Sequence, residues 1–64
     1  MVKINGKTAD VAGMSVNDYL LTSGYDTKRV AVELNGEILP KIRYTDTYLD
    51  NGDIVEIVSF VGGG

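Results

Sequence analysis

The sequence closes on Ser59-Phe60-Val61-Gly62-Gly63-Gly64, and this ending is its most chemically pointed stretch. Three consecutive glycines give no side chain to packing and lose more backbone entropy on ordering than any other residue. What they offer is a bare backbone and the α-carboxylate of Gly64, a group ionised at neutral pH and able to act as an oxygen nucleophile. Side-chain chemistry is scarce elsewhere. The 64 residues include neither cysteine nor histidine, which removes disulfides, thiolate and imidazole metal sites, Cys and Ser-His nucleophiles and histidine acid-base catalysis. Asp46, Asp50, Asp53 and Glu56 are conceivable oxygen ligands, yet turn chemistry and solvation account for them better than a metal site. No catalytic residue and no metal are expected, so the chain reads as something other than an enzyme.

Composition narrows the partners. With 44% hydrophobic and 23% charged residues, the chain is too apolar for disorder and too interrupted by charge to cross a membrane. No stretch near Met1 resembles a signal peptide, and the cytoplasm is the expected location. Nine acids against six bases give a net charge of −3, with the bases scattered as Lys3, Lys7, Lys28, Arg29, Lys41 and Arg43. A nucleic-acid binder would show a basic stripe. Tyr19, Tyr25, Tyr44 and Tyr48 could stack on bases, but without a basic groove that role is not expected. The acidity favours a basic partner, and the free chain is expected to be monomeric.

The elements follow from turn residues and periodicity. Val2-Lys3-Ile4 and Lys7 to Val11 flank Asn5-Gly6, the strongest short-range signal for a β-hairpin. Ser15 is placed to cap a helix over about Val16 to Ser23, with Asp18 at the reciprocal position, Met14 and Tyr19 as a hydrophobic staple, and Gly24 as the left-handed stop. Val30, Val32 and Leu34 share one side of the next strand, Asn35-Gly36 turns the chain, and Glu37-Ile38-Leu39 ends at Pro40, which belongs at a sheet edge. Lys41 to Leu49 is expected to be short extended pieces with Leu49 as a core anchor. Asp50-Asn51-Gly52-Asp53 is a turn, and Ile54 to Phe60 is the strongest strand.

A helix between a hairpin and further strands must cover one face of their sheet. With the first and last strands as a central parallel pair, this is an α+β, β-grasp (ubiquitin-like) fold: a mixed sheet of about four to five strands and one main helix. Residues 1–60 form the domain and 61–64 a flexible glycine tail. Glu56 is a poor core residue, so Ile54, Val58 and Phe60 share its outward side and Val55 and Ile57 point in. Val58, Phe60 and Val61 then make an exposed apolar patch beside the tail, suited to a partner.

The segments VKINGK (Val2 to Lys7), VAVELNGEILPK (Val30 to Lys41) and NGDIVEIVSFVGGG (Asn51 to Gly64) together resemble the ThiS family, the sulfur carriers of thiamine biosynthesis. The resemblance runs over essentially the whole chain and implies the same β-grasp fold. It also implies a carrier and co-substrate whose Gly64 carboxylate is adenylated by an E1-like enzyme using ATP with magnesium, then converted to a thiocarboxylate. A sulfur donor system such as a cysteine desulfurase would supply the sulfur, and thiazole synthase would receive it. The family's terminal pair falls on Gly63 and Gly64, with Gly62 as tail just before it. Val61 to Gly64 reach at most about 14 Å when extended, and the missing β-carbons would let a narrow channel close on the backbone. Carriers for the molybdenum cofactor or other sulfur-containing products share the fold and ending but tend to be longer, which favours thiamine here. A ubiquitin-like modifier joined to lysines through Gly64 is the alternative from another class.

Overall fold

Two Asn-Gly turns fix the pairing of four of the five strands. In the computed structural model, which describes residues 1–60, β1 (Val2–Ile4) pairs antiparallel with β2 (Lys7–Ala9), and β3 (Val30–Leu34) with β4 (Glu37–Leu39). Both turns take positive φ at both residues, 50° and 84° at Asn5 and Gly6, 53° and 86° at Asn35 and Gly36. This is the type I′ geometry, whose twist matches that of the flanking strands. β5 (Ile54–Ser59) lies between the hairpins, giving the order β2-β1-β5-β3-β4. It runs parallel to β1 and antiparallel to β3, so the β-grasp expectation holds, and β4 with its following Pro40 is an edge strand.

Both turns also grip β5 directly. The Asn5 side chain accepts from Ile57 N–H (2.7 Å) and donates to the Ile57 carbonyl (3.2 Å). The Asn35 amide oxygen accepts from Ile54 N–H (2.9 Å) while its nitrogen donates to Asp53 (3.0 Å). Because β1 and β5 pair directly only at Lys3↔Ile54 and Ile4↔Val55, the Asn5 amide carries the ladder past the end of a three-residue strand. Main-chain groups that would otherwise lack partners are thereby satisfied.

Helix α1 (Val16–Thr22) crosses one face of the sheet and places Val16 and Leu20 in a core with Val2, Val32, Val55 and Ile57. Ser15 caps it, its hydroxyl accepting from Asp18 N–H at 3.0 Å. The helix ends one residue earlier than its sequence predicts, with Ser23 as the C-cap. There Tyr25 N–H bonds the Leu20 carbonyl and Gly24 N–H the Leu21 carbonyl. That is a Schellman motif, and the φ of +83° at Gly24 is the left-handed step it requires. Among the described residues, no helix is long and apolar enough to cross a membrane.

The stretch from Lys41 to Tyr44 departs from expectation. Lys41–Arg43 form a 3-10 turn where extended pieces were predicted, and Tyr44, which sequence reading left among possible stacking faces, is buried in the core together with the expected Leu49. The reason is tertiary. Lys41 Nζ donates to the carbonyls of Val30 (2.6 Å) and Thr27 (3.1 Å), folding the segment back against β3. Its carbonyls then serve the helix: Val16 N–H bonds Thr47 and Asn17 N–H bonds Tyr44, at 2.8 and 3.0 Å. Those are first-turn amides that no helix can satisfy internally.

Two outcomes test this packing. Leu20, fully buried, is expected to lose about 2–5 kcal/mol on replacement by Ala, against a total of about 3–10 kcal/mol for a domain of this size; urea unfolding measures it. Burial pushes the Tyr44 hydroxyl above its ordinary pKa of 10.0, opposed by a backbone hydrogen bond with Val32. A raised folded-state pKa contributes stability that is complete below the unfolded-state value and lost as pH rises through the folded one. Stability should therefore fall above about pH 10, and less steeply in Tyr44→Phe; equal alkaline slopes would refute the assignment.

Candidate functional site

The described chain leaves the sheet at Phe60, and the site is built from that point backwards. Along β5, Val55 and Ile57 are 2% and 7% exposed, whereas Ile54, Val58 and Phe60 are 52%, 57% and 58% exposed. The alternation places Val58 and Phe60 on the outer face, as the position of Glu56 predicts. Val61, Gly62, Gly63 and Gly64 lie outside the described residues, so what is shown is the exposure of Val58 and Phe60.

What fixes Phe60 is the loop leading into β3. Phe60 N–H donates to the Arg29 carbonyl at 2.7 Å, one rung beyond Val30↔Ser59. Arg29 is held in turn by Asp26: Arg29 N–H bonds the Asp26 carbonyl (2.9 Å), and its Nε lies 3.5 Å from the carboxylate. The same carboxylate accepts from Lys28 N–H at 2.9 Å, a local side-chain-to-backbone bond of the kind that shapes Asp-centred turns. Lys41 closes the loop from the other side through Thr27 and Val30. The last described rung of the sheet is thus braced by three side chains, and in sequence only Val61 separates it from the glycine run.

The register adds outward-facing residues that sequence reading did not assemble. Val58 lies opposite Ala31, Glu56 opposite Glu33, and Glu33 opposite Ile38 of β4. Ile38 is 66% exposed. The alternation of Arg29, Ala31 and Glu33 against Val30, Val32 and Leu34 signals which side each takes, but not which rung each shares. Of the four acidic residues weighed as metal ligands, Glu56 lies within β5 and three are engaged locally: Asp53 Oδ2 accepts from Asp50 N–H (2.8 Å), Asp50 Oδ1 from Asn51 N–H (2.9 Å), and Asp46 pairs with Arg43 (3.1 Å). Tyr19 and Tyr25 line a cavity of about 300 Å³ with Ile4, Asn5 and Lys7, on the helix side of the sheet and away from the Val58–Phe60 face.

A mixed sheet with a central parallel pair, one helix across it and a glycine run after the central strand defines a carrier of the ubiquitin-like β-grasp class. The sequence model of the ThiS family matches residues 2–64. The chain is 41% identical to the sulfur carrier protein ThiS of Bacillus subtilis, covering all of both chains. It superposes on the crystal structure of the thiamine biosynthesis protein ThiS from Geobacter metallireducens with a TM-score of 0.76 at 36% identity, over 98% of this chain and 97% of that one. A thiazole synthase of Paramagnetospirillum magneticum is 45% identical over 95% of this chain, which spans 19% of that protein's length. The chain belongs to the ThiS family, the sulfur carriers of thiamine biosynthesis.

The two faces of β5 are expected to respond oppositely to charge. Phe60→Asp should change unfolding free energy by no more than about 0.5 kcal/mol, whereas Ile57→Asp, which buries an unpaired carboxylate, should abolish cooperative unfolding. Thermal denaturation followed by circular dichroism distinguishes them.

Proposed function

We propose that Gly64 carries the sulfur as a C-terminal thiocarboxylate and that the folded domain serves as the handle by which partner enzymes hold it. The Gly64 carboxylate attacks the α-phosphorus of ATP in an E1-like enzyme, with magnesium on the nucleotide, and pyrophosphate leaves. The resulting acyl adenylate is a competent acyl donor where the free carboxylate is not. Sulfide attacks the acyl carbon and expels AMP directly; a persulfide from a donor system such as a cysteine desulfurase expels AMP to give an acyl disulfide, from which a thiol releases the thiocarboxylate by thiol–disulfide exchange, the donor sulfur leaving as a mixed disulfide with that thiol. The product, glycyl-COSH, ionises to a sulfur nucleophile and passes to thiazole synthase.

The observation that carries this reading is a braced rung at Phe60, one residue before the glycine run, in a ThiS-family chain. The four residues that follow Phe60, three of them glycine, can reach at most about 14 Å into another protein's site when extended. The match to part of a thiazole synthase supports that enzyme as recipient. Val58 and Phe60 remain exposed because successive partners must use them.

Incubation with the adenylating enzyme, ATP and a sulfide source should raise the mass by about 16 Da as sulfur replaces one oxygen. Deleting Gly64 should abolish the gain without altering the unfolding midpoint, and Phe60→Asp should weaken enzyme binding about tenfold or more. An unchanged wild-type mass under active conditions, or a stable lysine adduct in its place, would overturn the carrier reading.

A further inference from the structure

The sheet face turned away from α1 holds more than the patch beside the glycine run. Directly paired residues point to the same side, so the register sets out its rungs: Ile54 beside Lys3, then Glu56 beside Glu33 with Ile38 next to it, then Val58 beside Ala31. Exposed apolar side chains, Ile54, Ile38 and Val58, thus border two carboxylates, with Phe60 one rung beyond Val58. Glu33 and Glu56 oppose one another across an antiparallel ladder, where Cα atoms are about 4.5–5.5 Å apart, and like charges so placed repel. Among the described residues neither has a cationic partner; the ion pairs there are Arg29–Asp26 and Arg43–Asp46. The free chain therefore keeps two adjacent carboxylates without an ion-pair partner in a largely apolar setting, with Lys3 one rung away beside Ile54.

We infer that this face docks a protein surface that presents an arginine within an apolar setting, its guanidinium lying across Glu33 and Glu56. A guanidinium offers five donors in a planar fork and is more weakly hydrated than an ammonium, so it can bridge two carboxylates at modest desolvation cost. Ile38, Ile54 and Val58 would exclude water around the contact, which strengthens it. The charge argues against a second copy as occupant, because face-to-face pairing would bring four carboxylates together. It adds a selection rule to the proposed function, on which it rests: a surface with an acidic or neutral residue at that point is rejected.

The test is titration calorimetry of the wild-type chain, the Glu33→Gln/Glu56→Gln chain and the Glu33→Lys/Glu56→Lys chain against the purified E1-like adenylating enzyme, at low and high salt. Neutralising both carboxylates should lower affinity about tenfold or more and flatten its salt dependence, and the lysine pair should lower it further. The free Glu33→Gln/Glu56→Gln chain should unfold at the wild-type temperature or above, since its repulsion is relieved; a merely structural pair would lower that temperature and leave the salt dependence intact. Equal affinity and equal salt dependence in a wild-type chain that does accept sulfur would overturn this inference alone. Dimerisation of the wild-type chain in sedimentation would also overturn it, by giving the face to a second copy. A wild-type chain that binds in this salt-dependent way yet gains no mass would refute the carrier reading and leave the docking rule standing.

Discussion

Hydrogen bonding to both edges of β5 is the constraint on which the rest of the molecule depends. β1 pairs with it in parallel, β3 antiparallel, and the side chains of Asn5 and Asn35 bond its main chain at Ile57 and Ile54. A central strand so held can present one side chain in and the next out without ambiguity, because a slip of one residue would move Val55 and Ile57 out of the core. The same register sends Val58 and Phe60 outward. Core packing and the partner face are therefore two readings of one alignment.

The helix and the irregular segment support that strand by satisfying each other. The first amides of α1 find the carbonyls of Thr47 and Tyr44, and Tyr44 and Leu49 complete the core beneath them. A domain this small has little apolar surface to bury, and using one loop for both helix capping and core filling offsets part of that shortage. Lys41 extends the economy to the carrier end, since its bonds to Thr27 and Val30 steady the loop whose Arg29 carbonyl fixes Phe60.

The parts legible in the sequence were those governed by local rules. Asn5-Gly6 and Asn35-Gly36 allow only a narrow set of turns, Ser15 and Gly24 mark the helix ends, and Glu56 sets the parity of β5. Tyr44 was not legible as core, because its burial depends on Lys41 reaching across to β3, a contact separated by eleven residues. The rung joining Ile38, Glu33 and Glu56 was hidden for a related reason: each residue's side follows from its own strand, but its neighbours follow from a register set by three strands at once. The glycine run was visible from composition, while its meaning required the family.

The bond from Phe60 N–H to the Arg29 carbonyl also has a mechanical side. A load applied at Phe60 along the axis of β5 meets a strand flanked on both sides by strands running along that axis. Such a load falls in shear on the whole set of cross-strand bonds together, not on one terminal bond at a time as in a peeled edge strand. A pull on the end of this strand is thereby resisted in the strongest direction its sheet possesses.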